Sequence, residues 1–202
     1  AEDGIRDHCV TGVQTCALPI WVVTSLGFGW RVNADGFRAG RRAFRPVSLF
    51  DVTRQRAKVA GEIVMPDSLP PTALSDRSKR RLSRASRQLI WAAAEAWEQS
   101  GWRPSEDLPQ VYGGTSCGMD RGEEFYKVAA RNPECRRGQP TRAVSYQAQR
   151  QPLDVAEAFG FSGPILVIAN ACASGSNAVG HAWEMIRSGR SERLLDRKST
   201  RL

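Results

Sequence analysis

The chain has 202 residues, with 29 Lys and Arg against 21 Asp and Glu, so its formal net charge is +8 at pH 7. The length suits one domain or part of one. No apolar run is long enough to cross a bilayer, so we do not expect a membrane-spanning helix. The basic excess favours an acidic partner, such as nucleic acid, an anionic surface or an acidic protein.

Both ends of the chain read as translated sequencing adapter. Residues 14–20 (QTCALPI) and residues 196–202 (DRKSTRL) can be encoded by one DNA string read in its two opposite orientations. A sequencing library places such a string at the two ends of an insert. We therefore expect residues 1–20 and 196–202 to be adapter-derived and not native, and residues 21–195 to be the biological domain.

Setting the ends aside leaves three cysteines, Cys117, Cys135 and Cys172, and the net charge is unchanged. These cysteines are far apart and lack CxxC spacing, so neither a zinc site nor a disulfide framework is predicted. We expect no metal and no cofactor, and a reducing cytoplasm as the location.

Apolar periodicity and turn residues predict an alternation of strands and helices in chain order. Strands are predicted over residues 21–26, 58–64, 110–115 and 165–169, helices over residues 75–101, 120–130, 153–159 and 173–188, and a loop over residues 132–142. Ser75 is the expected cap of the long helix and Gly101 its stop. Residues 165–169 (ILVIA) are apolar throughout, so both faces of that strand should be buried. The alternation predicts an α/β fold with helices layered around a mostly parallel sheet.

The stretch NACASGSNAVG, residues 170–180, places Cys172 where the apolar strand turns into a helix. Backbone N–H groups and the positive end of the helix dipole at such a junction favour the thiolate, which is the nucleophilic form. The amide of Cys172 is a candidate oxyanion donor. An inert, packed cysteine is the competing interpretation, and spacing alone leaves both open. Cys117, within GGTSCG, is expected to pack beneath a turn.

Several blocks in order, among them WVVTSLG, FRPVSLFD, KVAGEI, VYGGTSCGM and FGFSGPILVIANACASG, resemble the β-ketoacyl-acyl carrier protein synthases. The resemblance covers residues 21–195 and implies the N-terminal half of a thiolase-like fold. It also implies a 3-oxoacyl-[acyl-carrier-protein] synthase, which elongates acyl chains by decarboxylative Claisen condensation in fatty-acid or polyketide biosynthesis. Cys172 would be its acyl-accepting residue.

The chain departs from the family pattern in two places. Residues 27–37 (GFGWRVNADGF) are shorter than the usual loop and helix. The family also uses two histidines and a lysine from its second half, which this sequence lacks, so the chain alone is expected to be inactive in condensation. His181 lies nine residues after Cys172 and is expected to be a packed or surface histidine, not a catalytic base.

The resemblance also implies partners. Arg77, Arg80 and Arg81 stand where the family docks its acidic acyl carrier protein, although a solvated helix face explains them as well. A homodimer of the full-length parent would place residues 165–169 near its interface, and neither nucleic acid nor membrane is an expected partner. A thiolase or hydroxymethylglutaryl-CoA synthase and a basic nucleic-acid-binding module are the alternative functions, but no nucleic-acid motif accompanies the charge.

Overall fold

The computed structural model describes residues 22–101, 107–115 and 118–198. Within these ranges the chain forms seven α-helices: α1 Trp30–Arg38, α2 Asp76–Arg81, α3 Arg84–Ser100, α4 Met119–Arg131, α5 Gln139–Tyr146, α6 Arg150–Phe159 and α7 Ser174–Arg187. The strands in the same ranges are β1 Val23–Thr24, β2 Gly27–Phe28, β3 Arg45–Pro46, β4 Val59–Ala60, β5 Gln110–Gly113, β6 Ile165–Ile168 and β7 Leu195–Lys198.

The main sheet has three parallel strands in the order β6-β5-β7. Side chains alternate between the two faces of the central strand β5. Tyr112 joins the apolar cluster formed with α3 and α6, whereas Gly113 faces the first turn of α7. Helix α7 contacts all three strands, and α3 packs against α6. This arrangement confirms the predicted α/β fold with helices on both faces of a parallel sheet.

Helices α3 and α6 pack against each other through apolar residues that recur at helical spacing. Leu89, Ile90 and Ala93 of α3 meet Val155 and Ala158 of α6 in one buried cluster. Their spacing of three or four residues puts each set on a single helical face. The helix periodicity predicted from the sequence therefore corresponds to a real buried stripe.

The hairpin β1–β2 precedes α1 and is tied to it by Asn33. Asn33 is almost fully buried, and its side-chain amide donates to the carbonyl oxygens of Val22, Gly27 and Gly29 at 3.1, 3.1 and 2.7 Å. Buried polar groups are stable only when they are hydrogen-bonded, and this amide adds side-chain bonds to carbonyls such as that of Val22, which also accepts from the Gly29 N–H at 3.0 Å.

The expectation that both faces of residues 165–169 are buried is wrong. Leu166 is 40% exposed, and Ala169 is exposed as well. The physical reason is that β6 is the edge strand of the sheet, so no described strand flanks its outer side, and α7 packs mainly on β5 and β7. An apolar edge strand with open backbone groups is a surface suited to pairing.

The single helix predicted over residues 75–101 is two helices. Leu82 leaves the helical conformation with ψ 133°, and Ser83 restarts the helix as the cap of α3 by accepting a hydrogen bond from the Ser86 amide at 3.0 Å. The predicted start and stop are confirmed, since Ser75 caps α2 and Gly101 ends α3 with φ 62°. The apolar periodicity of the sequence continues through the break because Leu82 and Leu89 are buried in the same cluster, so the pattern alone predicted one helix.

The predicted loop over residues 132–142 is only partly correct. Helix α5 begins at Gln139, directly after Gly138, which has φ 75°, and Pro140 occupies its first turn. Proline is favoured at the start of a helix because its fixed φ suits that position and its missing N–H would have had no partner there. The proline and glycine that suggested a loop therefore mark a helix start.

Strand β7 includes Asp196 and the two following residues, which the sequence analysis assigned to adapter. Parallel pairing uses backbone groups, so the strand does not depend on the origin of these residues. The other predicted adapter residues, 1–20 and 199–202, lie outside the described residues. Among the residues described, no helix combines the length and the apolar character needed to cross a bilayer.

Candidate active site

Cys172 lies at the junction that the sequence analysis predicted. Strand β6 ends at Ile168, a short 3-10 turn covers Ala171–Ala173, and α7 begins at Ser174. The Cys172 side chain is exposed. Cys172 thus stands two residues before the first residue of α7, with its side chain open to a substrate.

The residue before Cys172 has a strained backbone. Ala171 has φ 56°, and it is the one non-glycine residue with positive φ among those the structure describes. A non-glycine residue in this conformation costs about 1 kcal/mol or more and persists only where neighbours hold it. The strain turns the chain sharply between strand and helix, which leaves Cys172 at the surface.

Two hydroxyl side chains hold this turn. The Ala171 N–H donates to Thr115 Oγ1 at 3.1 Å, and Ser174 Oγ accepts from the Asn170 N–H at 3.0 Å while it donates to the Ala171 carbonyl at 2.7 Å. Thr115 follows β5, the strand beside β6, so the neighbouring strand end supports the turn. Neither Thr115 nor Ser174 was predicted to support the turn, although Thr115 lies within GGTSCG and Ser174 within NACASGSNAVG.

A close backbone approach brings α7 down onto the end of β5. A Cβ atom added to Gly113 would lie 2.3 Å from the Ser174 carbonyl oxygen and 2.8 Å from the Gly175 Cα. Only glycine permits this approach, because both obstacles are backbone atoms. Ser174 and Gly175 are buried accordingly, with Ala178 and Ala182 continuing the stripe against the sheet. Small residues after Cys172 therefore serve helix packing.

The other candidate residues are placed as follows. His181 lies in α7 and is half-buried, and Cys135 is half-buried in the segment between α4 and α5. Cys117 lies outside the described residues. In the described ranges, no group of three or more His, Cys, Asp or Glu side chains is arranged to hold a metal ion.

The three arginines predicted to dock the carrier protein lie in α2, far from Cys172 in sequence, and all three are exposed. Arg77, Arg80 and Arg81 form no ion pair with any residue that the structure describes, whereas Lys79 lies 3.5 Å from Asp76. Two further arginines of the basic run form hydrogen bonds to backbone carbonyls. Arg84 donates to the Ile63 carbonyl, and Arg87 donates to the Lys79 carbonyl at 3.3 Å. The structure thus divides the basic run into an exposed set and a structural set.

A parallel sheet that delivers an exposed cysteine to the start of a packed helix is the arrangement expected of the thiolase-like condensing enzymes. The profile of the family described as "Beta-ketoacyl synthase, N-terminal domain" matches residues 21–195. The chain belongs to this family. The predicted adapter segments flank the match, and their origin stays a prediction.

Relatives and solved structures agree with that assignment. The tetracenomycin polyketide synthase ketoacyl synthase alpha subunit of Streptomyces glaucescens is 31% identical over 185 residues, which are 82% of this chain and 41% of the relative. Nodulation protein E of Rhizobium leguminosarum bv. trifolii is 26% identical over 191 residues, covering 86% and 45%.

Among solved structures, the ishigamide ketosynthase/chain length factor superposes with a TM-score of 0.73 at 24% identity and covers 86% of this chain and 44% of its own. A beta-ketoacyl synthase from Burkholderia phymatum STM815 gives a TM-score of 0.66 at 22% identity, over 86% of this chain and 43% of its own. These likenesses show the fold. The chain spans less than half the length of the relatives and structures named above.

Proposed function

We propose that the parent of this chain is a 3-oxoacyl-[acyl-carrier-protein] synthase and that Cys172 accepts the acyl chain. One observation carries the proposal: the exposed Cys172 lies between the end of β6 and the first turn of α7. The competing interpretation was an inert cysteine packed in the core, and the exposure of Cys172 disagrees with it. Within the described residues Cys135 is the other cysteine, and it lies at no such junction.

The first chemical step is a thioester exchange. The Cys172 thiolate attacks the carbonyl carbon of an acyl thioester, a new sulfur–carbon bond forms, and the bond to the carrier sulfur breaks. The carrier leaves as a thiol after taking up a proton. Charge that develops on the carbonyl oxygen during attack needs hydrogen-bond donors, and we assign one of these to the Cys172 backbone N–H.

The second step is condensation. Malonyl carrier protein loses carbon dioxide, its α-carbon attacks the acyl-cysteine carbonyl, and the 3-oxoacyl carrier and the Cys172 thiolate are released. By the family resemblance, two histidines and a lysine outside this chain serve that step. The half reaction on Cys172 is therefore the part that this chain is proposed to perform.

The proposed substrates are acyl thioesters of fatty-acid or polyketide biosynthesis, and the similarity to the Streptomyces glaucescens polyketide synthase subunit favours polyketides. The proposed location is the cytoplasm, where the Cys172 thiol stays reduced. For the full-length parent we propose a dimer in which the edge of β6 takes part. Its support is the open, partly apolar edge strand with Leu166 at the surface.

The proposed partner is an acidic acyl carrier protein that docks on α2. Its support is the exposed set Arg77, Arg80 and Arg81, whose charges are not neutralised by described neighbours. Charges of opposite sign on two partners raise the association rate and make it sensitive to salt. Reversing the charge of Arg80 and Arg81 should therefore weaken carrier binding most strongly at low salt.

A small-molecule acyl thioester tests the nucleophile directly. The chain is incubated with the thioester, digested, and its peptides are weighed by mass spectrometry. We expect acylation of the Cys172 peptide in the wild type and in Cys135→Ala, and none in Cys172→Ala. Acylation that persists in Cys172→Ala would remove the basis of the proposed role.

A further inference from the structure

Helix α2, which presents the exposed arginines, has little stability of its own. It has six residues, none of them buried. Isolated helices this short do not form in water, because nucleation costs more than a few hydrogen bonds return. Its order must therefore come from contacts at its ends and side, including the buried flanking residues Leu74 and Leu82.

One face of α6 provides such contacts. Ser78 Oγ of α2 donates to Glu157 Oε1 at 2.6 Å, and the Ala73 N–H just before α2 donates to the Ala158 carbonyl at 2.9 Å. Ser86 Oγ, in the first turn of α3, donates to Asp154 Oδ2 at 2.6 Å. Contacts before, within and after α2 thus fall on neighbouring positions of one helix.

Arg150 links the carboxylates of that face. Its guanidinium forms an ion pair with Asp154, which is 2% exposed, and its Nη2 lies 3.6 Å from Glu157 Oε2. An ion pair to a buried carboxylate has a fixed geometry, since the buried partner cannot rotate away into water. Arg150 therefore restrains Glu157 in the position that meets Ser78.

We propose that Glu157 is a positioning residue for carrier docking: through Ser78 it orients α2 and so the exposed set Arg77, Arg80 and Arg81. This inference rests on the proposed docking of an acyl carrier protein on α2. Glu157 is itself acidic and belongs to the face against which α2 rests. Its charge alone opposes an acidic partner, so electrostatics and positioning predict opposite effects when it is removed.

Two substitutions of Glu157 separate these effects. Glu157→Ala and Glu157→Gln both remove the negative charge, but glutamine keeps a side-chain oxygen that accepts from Ser78. We expect Glu157→Ala to bind a purified acyl carrier protein about threefold to tenfold more weakly, as follows from the loss of one net hydrogen bond. Glu157→Gln should bind as tightly as wild type or more tightly.

Ser78→Ala removes the same hydrogen bond without a change in charge. It should weaken binding to a similar extent, and the double variant with Glu157→Ala should be no weaker than either single variant. Glu123→Ala on α4, which removes an exposed carboxylate paired with Lys127, is the matched charge control and should not weaken binding. Thermal melting followed by circular dichroism checks that each variant is folded.

The outcomes distinguish the two proposals. If charge reversal at Arg80 and Arg81 leaves the affinity unchanged at low salt, docking on α2 is wrong and the positioning role falls with it. If charge reversal weakens binding while Glu157→Ala binds as tightly as wild type, docking stands and the positioning role is wrong. Equal weakening by Glu157→Ala and Glu157→Gln also contradicts it, because the hydrogen bond would then be irrelevant. Ser78→Ala decides the matter if the Glu157 variants unfold.

Discussion

Replacing Gly113 with alanine tests whether the packing of β5 against α7 holds Cys172 in place. The added Cβ would lie 2.3 Å from the Ser174 carbonyl oxygen and 2.5 Å from its carbonyl carbon. Carbon atoms in contact are normally about 3.5 Å or more apart, so the start of α7 must move by about 1 Å. Overpacking of this kind costs about 1–3 kcal/mol, and backbone obstacles put Gly113→Ala near the upper end.

Gly180→Ala is the matched control, since Gly180 is an exposed residue of α7 and a Cβ there meets nothing within 4 Å. This variant should gain up to about 1 kcal/mol because alanine is the better helix former. Urea unfolding measures both changes, and peptide-level mass spectrometry follows alkylation of Cys172. We expect severalfold slower alkylation in Gly113→Ala alone, as the sulfur leaves the helix start. Equal stability of Gly113→Ala and wild type would refute this account of the junction.

Two further predictions concern buried polar side chains. Asn33→Leu removes the buried amide that donates to three backbone carbonyls, although Val22 and Gly29 keep main-chain donors, and it should lower the free energy of unfolding by about 1–3 kcal/mol in urea; a loss below about 0.5 kcal/mol would contradict this role. Burial raises the pKa of Asp154 above its ordinary 3.8, against the lowering effects of the Ser86 hydrogen bond and the Arg150 charge. The folded protein thus holds the Asp154 proton more tightly than the unfolded chain, so this group's contribution to stability falls as pH rises from about 3.8 through the folded-state pKa. The unfolding free energy of wild type minus that of Asp154→Asn should therefore decrease between about pH 4 and pH 7, and an increase would contradict the raised pKa.

Capping and stop residues in the sequence correctly predicted where the α2–α3 region begins and ends. Ser75 and Gly101 marked the ends of the α2–α3 region because a cap and a left-handed stop act within one turn. The break at Leu82 was missed because the buried Leu82 continues the apolar spacing across it, although Ser83, the cap of α3, is a local signal. The edge position of β6 was missed because strand order is a property of the sheet, and an apolar run does not reveal which side stays open.

For the candidate site, the sequence predicted the position of the cysteine but not the residues that support it. The position of Cys172 between strand and helix followed from an apolar run and the small residues after it. The supports from Thr115 and Gly113 come from the end of β5, which is distant in sequence from Cys172, so spacing does not show them. Ser174 bonds residues only three and four positions away. A glycine directly before GTSCG was the available signal for close approach, but glycines in turns have several other causes.

The transfer of an acyl group from an acyl carrier protein to this chain is the most direct measurement of the role of Cys172. Intact-mass spectrometry follows both proteins over time. We expect the carrier to lose one acyl group while the chain gains one, with the gain abolished in Cys172→Ala and retained in Cys135→Ala. An acyl group that stays on the carrier, or that reaches the chain equally well in Cys172→Ala, would contradict the account.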